Sequence, residues 1–91
     1  MAQLTIIFGS KAQTKLIQHL LDNRGKVFNQ AGLARLLSLS PSTVARIIDP
    51  LIKEEILKYE QVGGQMKIIA LNEESPKVEA LIEFYEKLKK V

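Results

Sequence analysis

The side chains able to do chemistry in this chain sit on two short stretches. In residues 41–49, PSTVARIID, the apolar positions Val44, Ile47 and Ile48, followed by Leu51, repeat at i, i+3, i+4 and i+7, the spacing of one buried helical face. Ser42, Thr43, Ala45, Arg46 and Asp49 are left facing outward. Arg46 carries a planar fork of donors that suits a phosphate or the edge of a guanine, and hydroxyls at a helix start suit phosphate oxygens. The second stretch is a hairpin tip at residues 62–67, where Gln65, Lys67 and glycine N–H groups can meet a polyanion's backbone or groove. Nothing of this kind points to catalysis. The chain has no cysteine and one histidine, and it lacks a glycine-rich phosphate loop or a pair of carboxylates placed for acid–base work. Neither an enzyme nor a metal or other cofactor is expected.

The first stretch is positioned by a helix, a tight turn and a second helix. Leu33, Ala34, Leu36 and Leu37 make one apolar face of a helix that Asn29 caps, and Leu39 occupies the turn. Ser40 can accept an orphan N–H two or three residues on, while Pro41 holds it out of the α region, so the second helix starts at Pro41. Pro50 lies inside that helix. Proline there removes a hydrogen bond and crowds the carbonyl of Arg46, at roughly 3 kcal/mol. A kink is expected, or a restart with Asp49 capping a last short turn to Glu54. Asp49, one turn beyond Arg46, is expected to repel phosphate or pair with the arginine.

Upstream, Ser10 and Gln13 form a capping-box pattern that starts a helix at Lys11. Its stripe is Ala12, Leu16, Ile17, Leu20 and Leu21, and Gly25 supplies the left-handed stop. His19 adjoins the stripe as a partly exposed residue. Residues 26–28 are short and β-prone. Residues 1–9, with Leu4, Ile6, Ile7 and Phe8, read as a strand or as an apolar lead-in to the helix, serving either core packing or a dimer interface. Lys11, Lys15, Arg24, Lys26 and Arg35 are phosphate-contact candidates, although a solvated lysine or arginine looks the same in sequence.

Gly63-Gly64 reads as a two-residue type I′ turn, pairing Val62 with Gln65, Glu60 with Lys67, Lys58 with Ile69 and Ile56 with Leu71. Leu57, Tyr59, Met66, Ile68 and Ala70 then share the buried face, and Glu60 partly neutralises Lys67. After a polar linker, Ser75-Pro76 repeats the cap-plus-proline start of a helix that runs to about Lys90, with Lys87, Lys89 and Lys90 near its negative end. Val78, Leu81, Tyr85 and Leu88 have coiled-coil spacing, widened by Ile82 and Phe84. That stripe is too broad for a lone surface helix. One side is expected on its own domain, and Val78, Leu81, Ile82, Tyr85 and Leu88 are the candidates for pairing with a second copy.

The chain has 91 residues, 46% of them apolar and 25% charged, with no apolar run of membrane length and no signal-peptide pattern. An intracellular protein, cytoplasmic and without a membrane partner, is expected. Its net charge is +3, unevenly spread: residues 1–72 hold nine Lys/Arg against five Asp/Glu, giving +4, and residues 73–91 hold four against five, giving −1. The basic part is the part carrying Arg46 and Lys67, which suits phosphate neutralisation.

The run LARLLSLSPSTVARII resembles the helix-turn-helix of the winged-helix transcriptional regulators of bacteria and archaea, the group that includes ArsR-like and MarR-like repressors; the likeness covers roughly residues 8–72. It implies an α+β, mainly α fold: a winged helix-turn-helix with a three-helix core, a β-hairpin wing and an additional C-terminal helix. The implied organisation is one domain over residues 1–91, with the helix-turn-helix at 30–54, the wing at 56–71 and a C-terminal dimerisation helix at 76–90. The implied function is a homodimeric regulator, repressor-like, that places the helix from Pro41 in the major groove of double-stranded DNA. Ser42, Thr43 and Arg46 match positions from which such proteins touch DNA, and Gln65, Lys67, Arg35 and Lys26 complete the candidate set. Glu55 departs from the pattern, standing where similar proteins usually have glycine, so the turn there must differ or accept strain. With Arg46 as the one long donor on the helix, an architectural or plasmid-partition protein of little sequence preference is one alternative. The other is a protein-interaction module, suggested by Asp49, Glu54, Glu55 and a Glu60–Lys67 pairing. No effector site is legible; Tyr85 and Phe84 are where an interface pocket would form.

Overall fold

The computed structural model describes residues 8–64 and 66–91. The elements run α1 (Lys11–Asp22), β1 (Val27–Asn29), α2 (Gln30–Leu37), α3 (Pro41–Lys53), β2 (Leu57–Val62), β3 (Met66–Leu71) and α4 (Pro76–Lys89). The strands form one antiparallel sheet in the order β1-β3-β2. Residues 1–7, on which the strand or lead-in was expected, lie outside the described residues, as does Gln65.

The helix starts follow local chemistry. Ser10 Oγ accepts from the Gln13 N–H at 3.1 Å, Asn29 Oδ1 from Gly32 N–H at 2.6 Å, and Ser40 Oγ from Thr43 N–H at 3.1 Å, each meeting a donor that the first turn leaves unpaired. Ser75 differs: it precedes Pro76 as expected, but its side chain makes no cap hydrogen bond. Leu16, Ile17, Leu20 and Leu21 of α1, Leu33, Ala34 and Leu37 of α2, and Val44, Ile47, Ile48 and Leu51 of α3 meet Ile56, Leu57, Ile69, Leu71, Val78 and Leu81 in one core.

Proline does not end α3. The helix continues through Pro50 as one element, with Glu54 N–H donating to Pro50 O at 3.1 Å, so the restart at Asp49 does not occur. Ile48 and Leu51, on either side of the proline, are both buried. Burying two such side chains contributes about 1.5–3 kcal/mol each, which offsets the roughly 3 kcal/mol of an interior proline.

Glu55 resolves its conflict by strain. Its φ is 63°, in the left-handed region, and around it Ile56 N–H donates to Leu51 O at 2.9 Å and Glu55 N–H to Ile52 O at 3.0 Å. This is the hydrogen-bond pattern of a glycine-terminated helix, built here on a residue with a Cβ. Ser38 does the same at the end of α2, with φ 57°, and Leu39 N–H donates to Ala34 O at 2.9 Å.

The hairpin corrects the expected register by one residue. Gly63 and Gly64 take the positive φ values a tight turn needs, 60° and 77°, but Val62 pairs with Met66, so the loop has three residues. Gln61 then faces Lys67, Tyr59 faces Ile69 and Leu57 faces Leu71. The slip falls on β3 and turns its side chains to the opposite face, so Ile69 and Leu71 are buried in place of Met66, Ile68 and Ala70, while on β2 Leu57 is buried as expected and Tyr59 is exposed. Ile56, expected on the exposed face, is fully buried ahead of β2. The cause is the sequence of β3, MKIIAL, which is apolar on both faces. Alternation alone cannot choose between them, and Ile69 with Leu71 fills the core better than Ile68 with Ala70.

Candidate nucleic-acid interface

Ser42, Thr43 and Arg46 share the outer side of α3, beginning in its first turn. The hydroxyls form a small network: Ser40 Oγ lies 2.7 Å from Thr43 Oγ1 and 3.2 Å from Ser42 Oγ. Thr43 is thereby half-buried and committed to the helix start, while Ser42 is exposed. Arg46 is exposed and has no ion-pair partner among the described residues. Asp49 does not pair with Arg46, because it pairs with Lys53 one turn on, at 3.2 Å. An exposed pair of this kind contributes little stability, but it leaves the guanidinium of Arg46 uncompensated.

Lys67 stands at the start of β3, exposed and likewise without an ion pair among the described residues. The register explains why: Glu60 lies opposite Ile68 rather than Lys67. At the hairpin tip, Gln61 Nε2 donates to Gly64 O, closing the loop on itself. Lys67 and Met66 line an open groove of about 430 Å³ together with Asn29, Gln30 and Ala31 at the start of α2 and Pro41 at the start of α3. Two helix N-termini, with their positive dipole ends, thus border the same groove as Lys67. Asn29 and Gln30 were not legible as parts of this surface, because their proximity to Lys67 follows from the pairing of Asn29 with Ile68 across the sheet.

The remaining candidates separate from that cluster. Arg35 lines a different groove, on the side of α2 that faces β1, and Lys26 precedes β1 at the end away from the hairpin tip. Lys15, itself exposed, is engaged by the chain's own backbone, donating from Nζ to Leu37 O at 2.8 Å at the end of α2. His19 packs its ring on Phe28, centroids 5.1 Å apart, and its Nε2 is buried without a hydrogen-bond partner among the described residues.

Charge is more polarised than a division at residue 72 suggests. Residues 1–48 hold six Lys/Arg against one Asp/Glu, giving +5, and residues 49–91 hold seven against nine, giving −2. Every ion pair among the described residues falls in the second part: Lys53–Asp49, Lys58–Glu74, Lys77–Glu54, Lys87–Glu83 and Lys89–Glu86. The Lys58 ammonium, hydrogen-bonded to Glu74, holds that carboxyl below its ordinary range. Among the described residues, the cations of the first part form no ion pair with a carboxylate.

Solved structures of other proteins share this arrangement of elements. HlyU from Vibrio cholerae superposes with a TM-score of 0.74 at 20% identity, over 94% of this chain and 86% of its own. The transcriptional repressor PagR of Bacillus anthracis does so with 0.67 at 24% identity, over 92% and 90%. MepR, a transcription regulator of the Staphylococcus aureus multidrug efflux pump MepA, gives 0.68 at 18% identity, over 98% and 67%. The chain has the winged-helix fold. In its terms, α2 and α3 are the helix-turn-helix, α3 is the second helix of that motif, and β2 with β3 is the wing, backed by β1 and followed by the extra helix α4. No protein-family model matches the chain, and no curated protein matches its sequence.

The extra helix divides the residues expected to pair with a second copy. Val78 and Leu81 are buried in the chain's own core, at 0% and 8% exposure, and so are not free to meet a partner. Ile82 and Tyr85 are half-buried against that core, and Tyr85 Oη donates to Asp22 Oδ1 at 2.6 Å, tying α4 to the end of α1. That hydrogen bond, more than burial, raises the Tyr85 pKa above the ordinary tyrosine value. Leu88 remains exposed at 53% with Phe84 at 57%, and both line an apolar cleft of about 200 Å³ between α1 and α4 that Phe8, Ile17 and Leu21 complete. Among the described residues, no helix is long and apolar enough to cross a membrane.

Proposed function

We propose that the protein is a double-stranded DNA-binding transcriptional regulator, repressor-like and homodimeric, that sets the start of α3 in the major groove and the wing beside it. The observation that carries this reading is the coincidence of uncompensated charge with the recognition surface: Arg46 and Lys67 have no carboxylate partner among the described residues, on a fold shared with proteins named as transcriptional regulators. In this reading Arg46 contacts a base edge or a phosphate, Ser42 a phosphate oxygen, and Lys67 the backbone or minor groove at the wing; Gln65, outside the described residues, keeps its proposed place at the wing tip. Thr43 supports the helix start through Ser40. Phe84 and Leu88 supply the apolar surface for a second copy. The two recognition helices would then meet successive major grooves about 34 Å apart.

Two of the carboxylates that suggested a protein partner in this region are neutralised within the chain, and the Glu60–Lys67 pairing does not form. Asp49 is paired with Lys53, Glu54 with Lys77 at 2.8 Å, and Glu60 does not face Lys67. Sequence preference is expected to be modest, because Arg46 is the one long donor without an ion pair on the outer face of α3 among the described residues, Lys53 being paired with Asp49, and selectivity then draws on DNA shape, the wing and dimer symmetry.

The test is fluorescence-anisotropy binding to a random duplex and to the protein's own promoter across a salt series. A regulator binds both, favours the promoter, and loses affinity linearly in log salt with a slope of about 0.9 per phosphate neutralised. Equal affinity for the two duplexes would make it an architectural protein. No binding at low salt would leave a winged helix whose partner is another protein. Light scattering at high concentration reads the dimer directly, and a mass of one chain would overturn that part.

A further inference from the structure

The face built by β1 and α2 takes no part in the reading above. Among the described residues β1 is an edge strand, paired on one side with β3, so on its outer side the backbone groups of alternate residues meet no strand there. Between that edge and α2 lies an open groove of about 520 Å³, with Phe28 and Leu33 among its lining and Val27 and Leu36 standing 63% and 62% exposed beside them. Arg35 also lines this groove, and Lys26 immediately precedes the strand. Neither cation has an ion-pair partner, and no carboxylate lines the groove, among the described residues.

We propose that this groove docks an extended acidic peptide of a protein partner, which adds a strand along β1, seats an apolar side chain between Val27 and Leu36, and meets Lys26 and Arg35 with its carboxylates. Each property of the occupant answers one feature of the surface. An open strand edge accepts an extended backbone. The exposed valine and leucine favour an apolar side chain there, which a phosphate backbone does not offer. The two uncompensated cations select acidic neighbours and reject basic ones. β1 has three residues, so backbone pairing alone is weak and the side-chain contacts decide affinity. The inference takes Lys26 and Arg35 out of the DNA-contacting set and does not depend on the DNA reading.

The test uses the full chain and a fluorescein-labelled synthetic peptide with a valine–isoleucine centre flanked by glutamates, against the same peptide with lysines in place of the glutamates. The glutamate peptide binds and the lysine peptide does not. Amide shifts in an NMR titration move in Val27, Phe28 and α2 and not in α3. Arg35→Gln weakens peptide binding about fivefold, and Leu36→Ser weakens it severalfold; both positions are exposed, so circular dichroism stays unchanged. Arg35→Gln leaves the salt slope of DNA binding as it was. Equal binding of the two peptides, binding of neither, or shifts centred on α3 would overturn the proposal. So would a fall in the DNA salt slope on Arg35→Gln, which would return Arg35 to the DNA surface.

Discussion

Helices α3 and α4 begin alike, with a serine before a proline, and diverge in what they do with their two faces. In α3 the whole apolar stripe, Val44, Ile47, Ile48 and Leu51, is buried, and the outward side leaves Arg46 unpaired among the described residues. In α4 only Val78 and Leu81 are buried; Phe84 and Leu88 stay out, and each of its lysines is paired, Lys77 with Glu54, Lys87 with Glu83 and Lys89 with Glu86. One helix is apolar-satisfied and charge-unsatisfied, the other the reverse. The first suits a polyanion, and the second suits another apolar surface.

The largest effect that separates the two helices is on stability. Leu51→Ala removes a fully buried side chain and is expected to cost about 2–5 kcal/mol in urea unfolding. Leu88→Ala, at an exposed position, costs the monomer little and acts on dimerisation instead, read as a fall in mass by light scattering. A Leu88→Ala cost equal to that of Leu51→Ala would mean that α4 is held as tightly as α3. The caps come next. Ser40→Ala loses the hydrogen bond to Thr43 N–H and costs about 1 kcal/mol, whereas Ser75→Ala, with no such bond to lose, is expected to cost less in the same assay.

Glu55→Gly acts at the end of α3. It relieves a left-handed φ that costs an L-residue about 1–2 kcal/mol, less the 0.5–1 kcal/mol of extra chain entropy that glycine brings, so a gain of about 0.5–1 kcal/mol is expected, read as a higher midpoint of thermal unfolding. The smallest effect is on α4. The raised pKa of Tyr85 means that its neutral, donating form is favoured in the folded state. The bond to Asp22 therefore adds stability below the ordinary tyrosine pKa, and that contribution is lost as pH rises through the folded value. Tyr85→Phe should lower stability slightly at neutral pH, where the bond is present, and remove the decline at the alkaline end of the profile.

The same contrast explains what was legible in the sequence. Elements decided by local chemistry were readable: the caps at Ser10, Asn29 and Ser40, the start at Pro41, and the single long donor Arg46 each follow from neighbours within four residues. Elements decided by competition across the fold were not. The strand MKIIAL offers two apolar faces, so only the core's preference for Ile69 and Leu71 sets the register, and with it the freedom of Lys67 from Glu60. Pro50 reads as a helix breaker until burial on both sides outweighs it. The breadth of the α4 stripe was visible, but which part of it the chain keeps for itself depends on where α1 lies, and that placed Val78 and Leu81 inside. For the candidate site, the side chains on α3 and the hairpin could be named in advance, whereas the groove joining Lys67 to Asn29, Gln30 and Pro41 required the sheet.

The most direct test of the account is the DNA affinity of Arg46→Ala beside that of wild type across a salt series. If α3 faces DNA, Arg46→Ala weakens binding and, as a phosphate contact, lowers the log–log salt slope by about 0.9, with unfolding unchanged; as a base contact it erases preference for the promoter instead, at about 1–3 kcal/mol. Binding that keeps both its slope and its promoter preference without Arg46 would contradict the assignment of α3 as the DNA-facing helix.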